Sequence, residues 1–267
     1  MKFMHFKASF AYAALANLLE EKGFNTEDTA IAMEMKLPYL FAKVNGYYLS
    51  GPMLQTAQWF NLYLNPHGFT MTEEAVAPSE LCRYLQESDG AMLGMSTPTG
   101  RHTVVYTGYD DTYQFTNPAY ENDGAASRFA CEGDDLAGQF HQPVIVATLR
   151  KTAPQTVALR PYLEASIPAL RENVKEITAF CGAPHTPDQY NLMMNTLFRP
   201  LLLDGITMLS LIGETKLSNG LLELQNILMK FMVGPKKGAL RSVLPLPKLQ
   251  KYSEQYVSLI SAQIRRL

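Results

Sequence analysis

The apolar pattern of this chain changes near residue 150, and that change limits the folds open to it. Between residues 91 and 149, short runs rich in Val, Thr, Ile and Tyr recur, which is typical of buried or half-buried strands. After residue 155 only segments with helical spacing remain, separated by Gly and Pro. The sequence therefore predicts an α+β domain over residues 1–150, a linker at 151–155 and an all-α domain over residues 156–267.

The individual elements follow from caps, breakers and periodicity. In the first domain we expect helices near 9–22, 25–35, 53–64 and 81–86, and strands near 91–95, 102–109, 113–116 and 143–149. In the second domain we expect helices near 160–180, 187–198, 199–212, 217–231 and 246–267.

Composition excludes several classes of protein. With 267 residues, of which 47% are hydrophobic and 18% charged, the chain has enough apolar material for a sizeable core, which rules out a disordered segment. Cys82, Cys131 and Cys181 show neither the number of a disulfide framework nor the C-x-x-C spacing of a zinc or redox motif. We expect reduced thiols, no metal site and no cofactor.

The net charge of −2 conceals an uneven distribution. From Lys230 to the end there are eight basic residues and one acidic residue, a net of +7, so the rest of the chain carries −9. Such a tail either docks on the acidic body or meets an acidic partner. Nucleic acid is not the expected partner, because no aromatic and basic platform accompanies the charge.

The N-terminus has features of a secretory signal, since Lys2, His5 and Lys7 precede an apolar stretch at 10–19. We instead expect this stretch to be a folded helix and the protein to be cytoplasmic. No apolar run reaches the roughly 18 residues that a membrane span requires, so no membrane association is expected.

The segment that carries chemical information is a predicted hairpin. His102 heads the strand H-T-V-V-Y-T-G-Y, Asp110 and Asp111 form the turn, and Asn117-Pro118 ends the returning strand. This arrangement predicts that His102 and Asn117 lie beside each other, with the amide oxygen of Asn117 accepting a hydrogen bond from the imidazole. An amide in that place orients a histidine base, as in a nucleophile–base–orienter triad. A hairpin with a surface histidine and a turn-forming asparagine is the alternative.

The hairpin and the first helix together resemble a known family. The stretch H-T-V-V-Y-T-G-Y-D-D…F-T-N-P is similar to the His and Asn segment of papain-like cysteine peptidases of the double-glycine (C39) type. The helix A-L-A-N-L-L at 14–19 resembles the motif His-Cys-x-x-x-Ala-Leu-x-Asn-Leu-Leu of the butirosin biosynthesis protein H family. The resemblance spans residues 3–150 and implies a papain-like fold with an antiparallel sheet. A helical C-terminal region follows in that family too.

In the resembling families a cysteine at the head of the first helix is the nucleophile, and here that position holds no thiol. Aligned on the Leu-Leu pair, the cysteine position falls on Phe10 and the preceding histidine on Ser9; a second register places the cysteine position on Phe6. The resemblance thus favours a catalytically inactive protein that binds a small-molecule, peptide, acyl-amide or acyl-carrier-protein ligand in the former active-site cleft. One alternative is an acyltransferase or amide hydrolase that uses Ser9 with His102 and Asn117.

A further alternative is an interaction module, in which the helical domain mediates homo-oligomerisation. As residues that line the cleft we expect His5, Lys7 and Trp59. For each of them solvation or core packing is the competing interpretation.

Overall fold

The computed structural model describes residues 1–5, 10–97, 100–119, 127–140, 142–234 and 239–267. The chain divides into two compact units. The first comprises Met1–Met35 and Gln55–Val157, and the second Lys36–Leu54 and Ala158–Leu267. The expectations for Phe6, Lys7 and Ser9, and for Lys236 and Lys237 in the basic tail, lie outside the described residues.

Helices and antiparallel strands are both present. The helices are α1 (Ala11–Glu21), α2 (Asp28–Glu34), α3 (Ala57–Leu64), α4 (Leu81–Glu87), α5 (Gly133–Leu136), α6 (Arg160–Cys181), α7 (Pro187–Met193), α8 (Ile206–Leu211), α9 (Thr215–Val233) and α10 (Leu246–Ile264). The strands are β1 (Phe41–Val44), β2 (Tyr47–Ser50), β3 (Phe69–Val76), β4 (Ala91–Thr97), β5 (Gly100–Asp110), β6 (Thr112–Thr116), β7 (Arg128–Cys131) and β8 (Val144–Lys151).

Helix α1 is buried along most of its length. Its residues from Ala11 to Leu19 are all buried, including Asn17, whose amide donates to the carbonyl of Ala13 (2.8 Å) and to that of Lys2 (2.7 Å). The helix packs against β5, β4 and α2. Small Ala side chains on α1 allow this close approach, and Gly23, at φ 80°, ends the helix in a left-handed turn. The helix is thus the central element of the first unit.

The described strands of the first unit form one antiparallel sheet in the order β3–β8–β4–β5–β6–β7. On β4, β5, β6 and β8 the side chains of Leu93, Val104, Phe115 and Val146 share a buried cluster with α4 and α5. Asp111, at φ 58°, makes the tight turn between β5 and β6 that the sequence predicts. This hairpin carries His102 and leads into Asn117.

The second unit is mostly helical. Helix α6 packs against α10 and against the hairpin of β1 and β2, and α9 packs against α8 and α10. Between α7 and α8 the chain stays helical but widens into π-helical turns at Met194–Phe198 and Pro200–Gly205. Pro200 has no N–H to donate, which disfavours a regular α-helix at this point. The predicted break between 198 and 199 is therefore a change of helix type.

The division into units differs from the predicted boundary, because Lys36–Leu54 belongs to the helical unit. The amide N–H of Phe41 donates to Ser166 Oγ (2.9 Å), and the hydroxyl of Tyr256 donates to the carbonyl of Pro38 (2.6 Å). The second unit consequently contains a β-hairpin and is not all-α. Among the described residues, each helix is either too short or too polar to span a lipid bilayer.

Gly220 on α9 tests how the helices of the second unit pack. A Cβ atom at this position would lie 2.5 Å from the ring of Tyr252 on α10. Gly220→Ala normally stabilises a helix, but here the ring has to move, so we expect the free energy of unfolding to fall by about 1 kcal/mol. Chemical denaturation measures this free energy of unfolding, and Asn219→Ala on the same helix is the control. In a Tyr252→Ala background the sign should reverse; an unchanged sign would contradict the packing.

Asp204 should make stability depend on pH. Its side chain is fully buried, and burial raises its pKa from the ordinary 3.8 to about 7, although Arg199 opposes the shift. Between these values the folded state binds more protons than the unfolded state, so the free energy of unfolding falls as pH rises from 4 to 7. The upper limit is about 1.4 kcal/mol per pH unit. In urea denaturation, Asp204→Asn should make the free energy of unfolding nearly independent of pH over this range. If the two proteins show the same pH dependence, Asp204 is not its cause.

Candidate functional site

The predicted histidine and asparagine meet at one end of the β5–β6 hairpin. His102 lies opposite Met95 of β4, and Asn117 directly follows β6, whose last residue Thr116 pairs with Val105. Nδ2 of Asn117 is 3.1 Å from Nδ1 of His102, and both side chains are buried. The register of the hairpin thus brings together two residues that are 15 positions apart in sequence.

The polarity of this contact differs from the expectation. Oδ1 of Asn117 accepts the backbone N–H of Ala119 (3.2 Å), so the amide nitrogen, and not the oxygen, faces the imidazole. An amide N–H that donates to Nδ1 requires that nitrogen to be unprotonated, which places the proton of a neutral imidazole on Nε2. Asn117 therefore holds His102 in one tautomer, by donation rather than by acceptance.

Backbone hydrogen bonds fix Asn117 from two sides. Its N–H donates to the carbonyl of Ser127 (2.9 Å), and the carbonyl of the next residue, Pro118, accepts the N–H of Met4 (3.0 Å). The N-terminal segment consequently runs beside the end of the hairpin. This contact brings the head of α1, which follows the segment in sequence, to the same end of the sheet as His102.

Phe10 immediately precedes α1, and its ring lies on His102. The centroids of the two rings are 4.1 Å apart, with an angle of 24° between their planes. The carbonyl of Phe10 accepts the N–H of Ala14 (2.9 Å), and the side chain of Phe10 provides no cap. A phenyl ring has no atom that can attack a carbonyl. The contact is therefore packing between two aromatic rings.

His5 makes a second polar contact near this place, which the sequence did not reveal. Its Nδ1 lies 2.7 Å from Oδ1 of Asp28, and its backbone N–H donates to Oδ2 of the same carboxylate (2.6 Å). Asp28 is buried, whereas the His5 side chain is 55% exposed. In the sequence Asp28 is one of two adjacent acidic residues within the predicted helix at 25–35, and a partner 23 residues away leaves no local signal.

The three cysteines lie on other elements than Phe10 and His102. Cys131 lies on β7, opposite Tyr113 of β6. The partly exposed Cys82 of α4 donates to the carbonyl of Gly133 (3.5 Å), and Cys181 ends α6 in the second unit. Burial raises the pKa of the Cys131 thiol and raises that of Cys181 to about 12. These two thiols are protonated at neutral pH and are poor nucleophiles.

Trp59, expected to line a cleft, is buried on α3 with 7% of its surface exposed, so it offers little area to a ligand. Across the described ranges of the chain, no three His, Cys, Asp or Glu side chains are grouped so that they could hold a metal ion.

The sequence matches no protein-family model and no curated protein. Among solved structures, the chain is similar to the peptidase domain of Streptococcus ComA, a bifunctional ABC transporter involved in quorum sensing. The two share 13% sequence identity with a TM-score of 0.41, over 58% of this chain and 97% of that domain. A likeness at this level does not assign the chain to a family.

Asp28→Ala tests the anchor of the N-terminal segment. The change leaves the N–H groups of His5 and Thr29 without their carboxylate acceptor, so we expect the free energy of unfolding to fall by about 2–3 kcal/mol. The control is Glu27→Ala, because Glu27 is exposed and its side chain caps nothing. Equal stability of the two variants in urea denaturation would contradict the role of Asp28.

Proposed function

We propose that the first unit is a papain-like domain that has lost its nucleophile and acts by binding a ligand rather than by catalysis. The observation that supports this proposal is the ring of Phe10 at the head of α1, stacked on the buried imidazole of His102. In a nucleophile–base pair, the attacking atom lies within hydrogen-bond reach of the base. Here the side chain that precedes the helix is apolar and covers one face of the imidazole.

The contacts of His102 support a packing role for this side chain. The ring is 4% exposed, one face lies against Phe10, and Asn117 donates to Nδ1. A base that takes a proton from a nucleophile alternates between neutral and charged forms, and an orienting amide oxygen stabilises the charged form. Asn117 turns its amide nitrogen, and not its oxygen, toward Nδ1 of His102, so it does not supply that contact.

For the ligand we propose a peptide, an acyl amide or the acyl group of an acidic carrier protein. The resemblance of the hairpin and of the first helix to the C39 peptidases and the butirosin protein H family supports this class. The basic tail from Lys230 onward suits an acidic partner, because opposite charges speed association. High salt screens this attraction and weakens it.

The second candidate is an acyltransferase or amide hydrolase that uses Ser9. The contact between His102 and Asn117 favours it, because a serine-based triad needs a histidine and an orienting side chain next to each other. Labelling of the protein by a fluorophosphonate probe that is lost in Ser9→Ala would favour this candidate and contradict a binding-only function. On the first proposal, the probe labels neither protein.

The decisive experiment restores a thiol at the head of α1. We expect Phe10→Cys, in a Cys82→Ser background, to react with iodoacetamide at pH 6.5 about tenfold faster than Cys82 does in the unaltered protein. The positive end of a helix and a neighbouring imidazole lower the pKa of a thiol below its usual 8.5. Mass spectrometry of the alkylated peptides measures the rate at each thiol.

The matched control is the same protein with His102→Ala, in which the acceleration should disappear. Cys131 and Cys181 serve as internal references, because both are buried and should stay unmodified. If the new thiol reacts no faster than Cys82, and His102→Ala changes nothing, then residue 10 does not occupy a nucleophile position and the proposal is wrong.

A further inference from the structure

The second unit contains an apolar pocket of about 270 Å³ between α9 and the helical segment 194–203, which includes the π-helical turns. Six of its nine lining residues are apolar: Met194, Phe198, Leu202, Leu203, Leu228 and Met229. Leu203 and Met229 are 42% and 45% exposed. Contiguous exposed apolar side chains around a concavity are typical of a binding site.

Three polar residues complete the lining: Asn195, Gln225 and Arg199. Arg199 is the one ionised residue among them. Its Nε donates to Oδ2 of Asp204 (3.2 Å), and one N–H of Nη2 points to the sulfur of Met53 (3.1 Å). A guanidinium group has five N–H donors, so three are left for a ligand, while the two contacts hold its position.

The buried carboxylate of Asp204 balances the charge of Arg199 only in part. Oδ1 of Asp204 has no hydrogen-bond partner, and burial raises the pKa of this carboxyl to about 7. Near neutral pH a fraction of the Asp204 side chains is therefore protonated, and Arg199 then carries an uncompensated positive charge beside an apolar pocket. An anionic group at Arg199 would compensate it.

The π-helical turns place the cation and the apolar lining side by side. A π-helix is wider than an α-helix, costs stability and is frequent at functional sites. Here Phe198, Arg199, Leu202 and Leu203, which belong to or directly adjoin these turns, all line the same pocket.

We propose that this pocket binds an anionic amphiphile, a medium-chain carboxylate whose head group lies on Arg199 and whose chain lies along the apolar lining. This inference concerns the second unit and stands independently of the function proposed for the first. A methylene group occupies roughly the volume of a water molecule in the liquid, about 30 Å³, so the pocket has room for a chain of about nine carbons. A second protein would instead need about 800 Å² of contact on each partner.

The test is calorimetric titration of the full-length protein with decanoate below its micellar concentration. Decanol and decyltrimethylammonium serve as ligands with the same chain and a neutral or positive head. We expect decanoate to bind at least tenfold more tightly than either, because only a carboxylate forms charge-assisted hydrogen bonds with Arg199.

Three variants locate the site. Arg199→Gln with Asp204→Asn removes the cation without leaving a buried carboxylate unpaired, and it should weaken decanoate binding at least tenfold while decanol binding stays the same. Met229→Trp fills the pocket from its exposed rim and should abolish binding of both ligands. Arg241→Gln, a basic residue of the same unit that does not line the pocket, is the control and should bind like the unaltered protein.

The proposal is overturned if decanoate does not bind, if decanol binds as well as decanoate, or if the Arg199 variant binds decanoate unchanged. Light scattering tests a second copy of the chain as occupant. A dimer that Met229→Trp dissociates and decanoate does not would make this face an interface and would also overturn the proposal.

Discussion

The burial of α1 is the constraint on which the first unit depends. A helix whose residues are buried from Ala11 to Leu19 cannot lie on a surface, so the rest of the unit has to surround it, with β4 and β5 on it and α2 beside it. The residue before its first turn then meets whatever the end of β5 presents, which is His102. The stack of Phe10 on the imidazole is the consequence of a buried helix with a large apolar residue at its head.

The elements that could be predicted from the sequence are those with a continuous apolar pattern. The buried helices and the β5–β6 hairpin follow from the sequence, because each has a continuous apolar signal. Strand β3 was not predicted, because its alternation stops after Met71 and its residues from Thr72 to Ala75 are all exposed. The β1–β2 hairpin does have a local signal, because Asn45-Gly46, at φ 51° and 83°, is a residue pair characteristic of a two-residue hairpin turn.

Of the candidate site, only the pairing of residues on the same hairpin could be predicted from the sequence. The spacing between His102 and Asn117 placed them on one hairpin, but the orientation of the amide depends on the N–H of Ala119, which no pattern indicates. The contact between His5 and Asp28 joins residues 23 positions apart and leaves no local signal, whereas Pro200 marks the place where π-helical turns replace a regular α-helix. His102 in the first unit and Arg199 in the second both lie beside apolar side chains, and hydrogen bonds from or to their neighbours hold each of them in place.

The membership of Lys36–Leu54 in the second unit has a consequence for the order in which the chain folds during synthesis. Phe41 donates its N–H to Ser166, which leaves the ribosome 125 residues later. At about 5–20 residues per second, β1 and β2 are made on the order of ten seconds before α6. During that interval Phe41 and Tyr48 lack the helix that buries them. The early hairpin is therefore the part of the chain that a nascent-chain chaperone would meet with its apolar side chains exposed.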